Sequence, residues 1–203
     1  MTRELSDDLW NHCRIDLTVE RLVGGTPANP KLLDTWLETN KAGSVGREDA
    51  ALVNARLVEE GVEQHTVAFA RDEKGNPCFE SRALKAALKE AANVLKARFP
   101  DIGYPRARLA EQVFVGPKLV PIERPILVGE RVLHVLTAKG PRDSLKRYEY
   151  AEDVSLKFTC KILKGSGWSL ERLGILLTYI KDGGIGADRS QGSGTLSEAY
   201  IHE

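Results

Sequence analysis

Gly183-Gly184-Ile185-Gly186-Ala187-Asp188-Arg189-Ser190-Gln191-Gly192-Ser193-Gly194 decides how this chain is read, because it separates a strongly apolar helical pattern from a short closing strand. Five glycines in twelve residues mark a backbone held where side chains are forbidden, or one that something approaches closely. The intervening Asp188-Arg189-Ser190-Gln191 supplies one cation and several hydrogen-bonding groups. The loop either holds a phosphate or fastens itself to the fold. In the second case Arg189 pairs with Asp188 or a more distant carboxylate, and the glycines only permit a tight helix-to-strand crossing.

Upstream of this loop, Ser169 is placed to cap a helix whose Leu170, Leu173, Ile175, Leu176, Leu177, Tyr179 and Ile180 require protein on nearly all sides. Downstream, Thr195 to His202 reads as a last strand. Val154, Leu156, Phe158, Cys160 and Ile162 alternate with polar residues, the period of a half-buried strand, and Val132 to Thr137 reads as another. The basic segment between them, about 138–152, is longer than a tight hairpin needs and is expected to be a long loop. Ser81 is expected to cap a helix to about Arg98 with Leu84, Leu88, Ala91 and Leu95 as its apolar stripe and Arg82, Lys85, Lys89 and Lys96 on another face.

Near the N-terminus, Ile15, Leu17 and Val19 alternate as a strand ending at Gly24-Gly25. Lys31 to Asn40 and Arg47 to Glu60 carry helical spacing. Thr66 to Arg71 and Cys78 to Glu80 flank the turn residues Asp72 to Pro77 as a hairpin. Five prolines between residues 99 and 129 predict irregular structure with short strands at Gln112 to Val115 and Leu119 to Ile122. With insertions at about 26–80 and 99–129 removed, the order is strand, helix, strand, strand, helix, strand. That order predicts an α+β, ferredoxin-like (RRM-like) antiparallel sheet with two main helices, a thumb-like β-hairpin loop and helical insertions, in a single domain spanning residues 1–203.

Composition narrows the function classes. The 203 residues are 42% hydrophobic, enough for a core, and no run approaches the roughly 18 apolar residues of a membrane span. The first residues lack a signal peptide's apolar segment, so a cytoplasmic protein without a membrane partner is expected. Cys13, Cys78 and Cys160 are odd in number and widely spaced, which argues against a disulfide framework; no CxxC pair suggests zinc, and no metal or cofactor is expected. Net charge is zero, yet residues 82–147 hold fourteen basic against six acidic residues, an excess of eight. Such a region either contacts phosphates or is a solvated surface balanced by the acidic N-terminal part.

Three features resemble the RAMP superfamily of CRISPR-associated proteins, especially the repeated backbone subunits of effector complexes. Phe79 to Ala91 is similar to the family's opening of its first main helix. The terminal apolar helix with its glycine-rich loop and last strand is similar to the family signature. The basic loop near 138–152 occupies the place of the family's protruding thumb. The resemblance implies binding of single-stranded nucleic acid, RNA before DNA, by a protein that assembles with copies of itself or with other effector-complex subunits, and it extends to stand-alone or phage-encoded members. RNA-cutting relatives carry an aspartate in the loop after the first strand; here Val23 to Pro30 holds Asn29 and no carboxylate, and His12, His65, His134 and His202 are scattered. No catalytic residue is therefore expected. A homo-oligomer without nucleic acid and a metal-independent endoribonuclease are the alternatives.

On this reading the phosphate contacts are Arg82, Lys85 and Lys89 on the helix, and Gly184, Gly186, Arg189, Ser190, Gln191 and Gly192 in the glycine-rich loop. Lys139, Arg142, Lys146 and Arg147 belong to the thumb. Tyr148 or Tyr150 either stacks on bases or packs the base of that segment.

Overall fold

The computed structural model describes residues 9–27, 64–137 and 140–203. The helices expected over 31–40 and 47–60, Asn29 and Lys139 lie outside the described residues. Contacts divide the chain into two compact units, one built from residues up to Leu22 with Ala70–Pro125 and Ala151–Glu203, the other from Val23–Phe69 and Ile126–Tyr150. Among the described residues the fold is mixed α+β, with a many-stranded sheet and three α-helices.

In the first unit, strand β1 (Trp10–Val23) lies between β10 (Leu196–His202) and β9 (Gly140–Leu163), and β6 (Val113–Gly116) pairs antiparallel with β9. The sheet order is thus β10-β1-β9-β6. Arg14 opposes His202 and Leu17 opposes Ala199, so β1 and β10 run antiparallel, with a register shift after Thr18. Helix α1 (Ser81–Val94) connects the first of these strands to β6, and α3 (Leu170–Gly183) connects β9 to β10. α1 packs against α3 and against a short helix, α2 (Pro105–Gln112).

Alternation builds the core. Ile15, Leu17 and Val19 from β1, together with Val154, Leu156, Phe158, Cys160 and Ile162 from β9, are all buried, as are Leu84, Leu88 and Ala91 of α1. Each strand gives one face to the interior and leaves polar residues outside. The α3 helix is capped as expected, Ser169 accepting the Arg172 N–H at 3.3 Å, but it is not enclosed by protein: Leu173, Leu176, Leu177 and Ile180 form one buried stripe, whereas Leu170, Ile175 and Tyr179 are half-buried and Thr178 is exposed, because only one face of the helix meets the rest of the fold. A small hairpin also lies in this unit, β4 (Ala70–Arg71) with β5 (Pro77–Glu80), and β7 (Leu119–Pro121) adds to β5. Its turn is tied by Asp72, whose carboxylate accepts the N–H groups of Lys74 and Asn76 and the Asn76 side-chain amide; these bonds hold its carboxyl below the usual range.

Two expectations near α1 require correction. Ser81 is the first helical residue, not the cap: Glu80 occupies that position without a side-chain cap, and the Ser81 hydroxyl donates toward the carbonyls of Val115 and Lys118, both at 3.5 Å. Residues 99–129 are not merely irregular, since Pro105 opens α2, where its missing N–H costs nothing.

In the second unit, β8 (Leu127–Thr137) runs antiparallel to the first half of β9, from Leu127 opposite Tyr150 to Thr137 opposite Gly140. β3 (Gln64–Ala68) pairs parallel to Leu145–Tyr148 of β9, and β2 (Thr26–Pro27) pairs antiparallel to β3. From Gly140 on, the segment expected as a thumb-like hairpin loop is therefore regular strand, one arm of a long hairpin. The reason it escaped the alternation is a bulge: burial steps from Ala151 to Val154, one residue more than a period of two, and Asp153 sits at φ 51° with its carbonyl held by Arg124 at 2.9 Å.

The glycine-rich loop returns the chain from α3 to the sheet. Gly194 (φ +83°) crosses Ile185 so closely that an added Cβ would sit 1.9 Å from the Ile185 carbonyl oxygen. Gly75 has nearly the same φ, +82°, with open space around it. Gly194→Ala is expected to lower the stability by well over the cost of the dihedral alone, which is about 1–2 kcal/mol, whereas Gly75→Ala should show only that smaller loss; urea midpoints of the two variants check the difference.

Candidate nucleic-acid interface

Arg82, Lys85 and Lys89 lie along one side of α1 next to its apolar stripe, Arg82 exposed and the two lysines half-buried, because positions three and four apart stack on one face. Lys85 and Lys89 stand four apart. The Lys85 ammonium lies 4.5 Å from the centroid of the Phe114 ring, and Phe114 in turn meets Trp10 edge-on at 5.2 Å. Burial, with the like charge of Lys89, pulls the Lys85 ammonium below the ordinary lysine range. Sequence reasoning passed over Phe114, which is 44% exposed although it belongs to a strand. An aromatic ring left in solvent beside a lysine is the signal that marks this place.

At the N-terminal end of α1 a cavity of about 300 Å³ is lined by Glu80, Ser81, Arg82, Lys85, Val115 and Lys118. Lys118 is a cation that the sequence reading did not select. Arg82 is engaged with Glu80 through two bonds, Nε to Oε1 at 2.9 Å and Nη2 to Oε2 at 2.6 Å. That fork neutralises Arg82 locally, and a phosphate at this position competes with a carboxylate already in place.

In the glycine-rich loop the polar groups are largely committed to the fold. The N–H of Gly184 donates to Ile180, that of Ile185 to Gly194, that of Gln191 to Asp188, that of Gly192 to Arg189, and that of Gly194 to Arg21. Ile185 is fully buried and anchors the loop. Arg189 begins a short 3-10 turn with Ser190 and Gln191 and donates to Glu90 of α1 at 2.7 Å. Asp188 and Gly192 flank that turn in left-handed conformation. Gly186 is likewise left-handed, at φ +82°. The alternative in which Arg189 pairs with a distant carboxylate is the arrangement observed.

The hairpin residues fall in the other compact unit. Tyr148 lies over Gly129, where an added Cβ would come within 2.5 Å of the ring; its centroid is 5.9 Å from that of Tyr150 and 6.0 Å from the Lys146 ammonium. Arg147 pairs with Glu130 across the strands at 2.6 Å, and His134 with Asp143 at 2.6 Å. Arg142 is described by its backbone alone, opposite Val135. The structure thus brings Arg82, Lys85 and Lys89 together on α1, with Arg189 against the same helix, and places Lys146, Arg147 and Tyr148 on the hairpin.

Among the described residues no group of three or more His, Cys, Asp and Glu side chains is arranged to hold a metal ion, and no helix is long and apolar enough to cross a membrane. The three cysteines are buried and free; Cys13 and Cys160 are hydrogen-bonded, which lowers the pKa of the first and, with burial, raises that of the second.

No protein-family model matches the sequence, and no curated protein matches it. Solved structures do. One is a chain in the cryo-EM structure of the type III-B Cmr-beta bound to cognate target RNA, similar with a TM-score of 0.52 and 11% identity over 95% of this chain. The likeness is one of fold. The matched region is 61% of that longer chain.

Lys85 provides a direct check on the geometry of the site. Its ammonium, followed by NMR through a pH titration, is expected to lose its proton below the ordinary lysine value of about 10.4, and Phe114→Ala, which opens the site to water, should move the midpoint upward.

Proposed function

We propose that this chain is a RAMP-type, ferredoxin-like protein that binds single-stranded nucleic acid without cutting it, RNA in preference to DNA, and assembles side by side with copies of itself or with partner subunits along the strand. The order β10-β1-β9-β6 with a helix on each crossover supports the fold half of this reading. The observation that carries the binding half is the cationic side of α1, where Lys85 stands over the exposed Phe114 ring and Lys89 follows one turn on, on a protein of zero net charge. The similarity of fold to a chain of an RNA-bound complex favours RNA.

Phosphate contacts of this kind are blind to base identity, and their strength comes from released counterions. Arg82 and Arg189 are secondary contributors, since each already holds a carboxylate. Those same two pairs favour a second reading, a homo-oligomeric structural protein in which the cations serve the fold. Copurification separates the two: nuclease-sensitive absorbance at 260 nm accompanies the first and is missing from the second.

Binding of a fluorescent single-stranded oligonucleotide should weaken linearly on a double logarithmic salt plot, by about 0.7 in slope for each phosphate neutralised. Lys85→Ala with Lys89→Ala is expected to reduce that slope by about 1.4 and the affinity about tenfold. Absence of binding at low salt by well-folded protein would sink the proposal.

A further inference from the structure

The strongest feature not absorbed by this reading is a second cavity, about 550 Å³, between the end of α1 and the start of α2 in the same compact unit. Lys89 and Asn93, four apart on one face of α1, line one side together with Lys96, the first residue of the 3-10 turn (Lys96–Arg98) that follows the helix. Tyr104 and Arg106 line the other. Three cations meet in one concavity, and among its described lining residues there is no carboxylate. This distinguishes it from the cavity at the other end of α1, where Glu80 holds Arg82.

Tyr104 is 81% exposed, more than any other large apolar or aromatic side chain described. The backbone that carries it is nevertheless fixed. Phe99 and Ile102 are buried, with the Phe99 ring 5.4 Å from that of Trp168. Arg172 donates to Asp101 at 2.8 Å and to the Gly167 carbonyl at 2.6 Å, and the Tyr104 carbonyl accepts the Arg108 N–H at 3.0 Å. An aromatic ring held in solvent on a pinned stem costs little to order against a flat ligand. Pro105, Arg106 and Ala107, the first residues of α2, also line the cavity, so the positive end of that helix adds to the field of the three side chains.

We propose that this cavity is a nucleoside-phosphate site. Tyr104 stacks on the base, Lys89, Lys96 and Arg106 take the phosphate oxygens, and Asn93 supplies a hydrogen bond to sugar or base. The proposal rests on the nucleic-acid reading only in that Lys89 belongs to both sites; its ligand chemistry is that of one nucleotide, whether free or a unit of a strand.

Titration calorimetry on the full chain with inorganic phosphate, adenosine 5′-monophosphate and a short single-stranded oligoadenylate tests it. The monophosphate is expected to bind at least about fivefold more tightly than phosphate, in keeping with the contribution of base–aromatic stacking. Tyr104→Ala should abolish that preference with phosphate binding intact, and Lys96→Ala with Arg106→Ala should weaken both ligands about tenfold. A parallel loss of oligoadenylate affinity in Tyr104→Ala identifies the ligand as part of a strand; an unaltered oligoadenylate affinity identifies a free nucleotide. Equal binding of phosphate and monophosphate, or a preference untouched by Tyr104→Ala, overturns the site. If oligoadenylate still binds in that case, the α1 interface stands alone; monophosphate binding without oligoadenylate binding upholds the cavity and removes the interface.

Discussion

The close crossing of Gly194 over Ile185 is the constraint on which the first compact unit depends. At that point the Ile185 N–H bonds to the Gly194 carbonyl while the Gly194 N–H bonds to Arg21, so the end of α3, the start of β10 and the end of β1 are joined within a few residues. Only a residue without Cβ fits there. Once β10 is fixed against β1, the interior faces of β1 and β9 receive α1 and α3, and α1 must turn Leu84, Leu88 and Ala91 inward. The cationic side of α1 flanks that stripe, with Arg82 exposed and Lys85 and Lys89 half-buried. A backbone contact thus sets the direction in which Lys85 and Lys89 point.

Much of this was legible in the residues. The alternations of Ile15-Leu17-Val19 and of Val154 to Ile162, the α1 stripe, the Ser169 cap and the Asp72 turn are local patterns, and local patterns are what a sequence displays. The hairpin half of β9 was not legible, because the bulge at Asp153 shifts the phase and because its outer residues, Arg147 and Asp143, find their partners on another strand. Helix α2 hid behind Pro100 and Pro105, with only Pro105 and Leu109 buried in a polar segment.

The candidate site was legible in kind but not in detail. A basic middle region can be counted from the sequence, whereas which cations already hold a carboxylate cannot. Glu80 lies two residues from Arg82 and was within view; Glu90 lies 99 positions from Arg189 and was not. Phe114, Tyr104 and Lys118 were passed over because exposure of a particular ring, or proximity of a loop lysine to a helix, is decided by tertiary packing. Charge neutrality of the whole chain conceals these local differences, since the basic excess of residues 82–147 is balanced elsewhere in the sequence.

The ladder between β1 and β10 also has a consequence in time. Thr18 and Glu198, which face each other there, are 180 positions apart in the chain. Loop-closure entropy makes such pairings late and slow. During synthesis at roughly 5–20 residues per second, β1 waits on the order of ten seconds or more for the strand that will flank it. The charged Arg14 and Asp16 on its outer face discourage misplaced pairing along an edge that must stay open for so long.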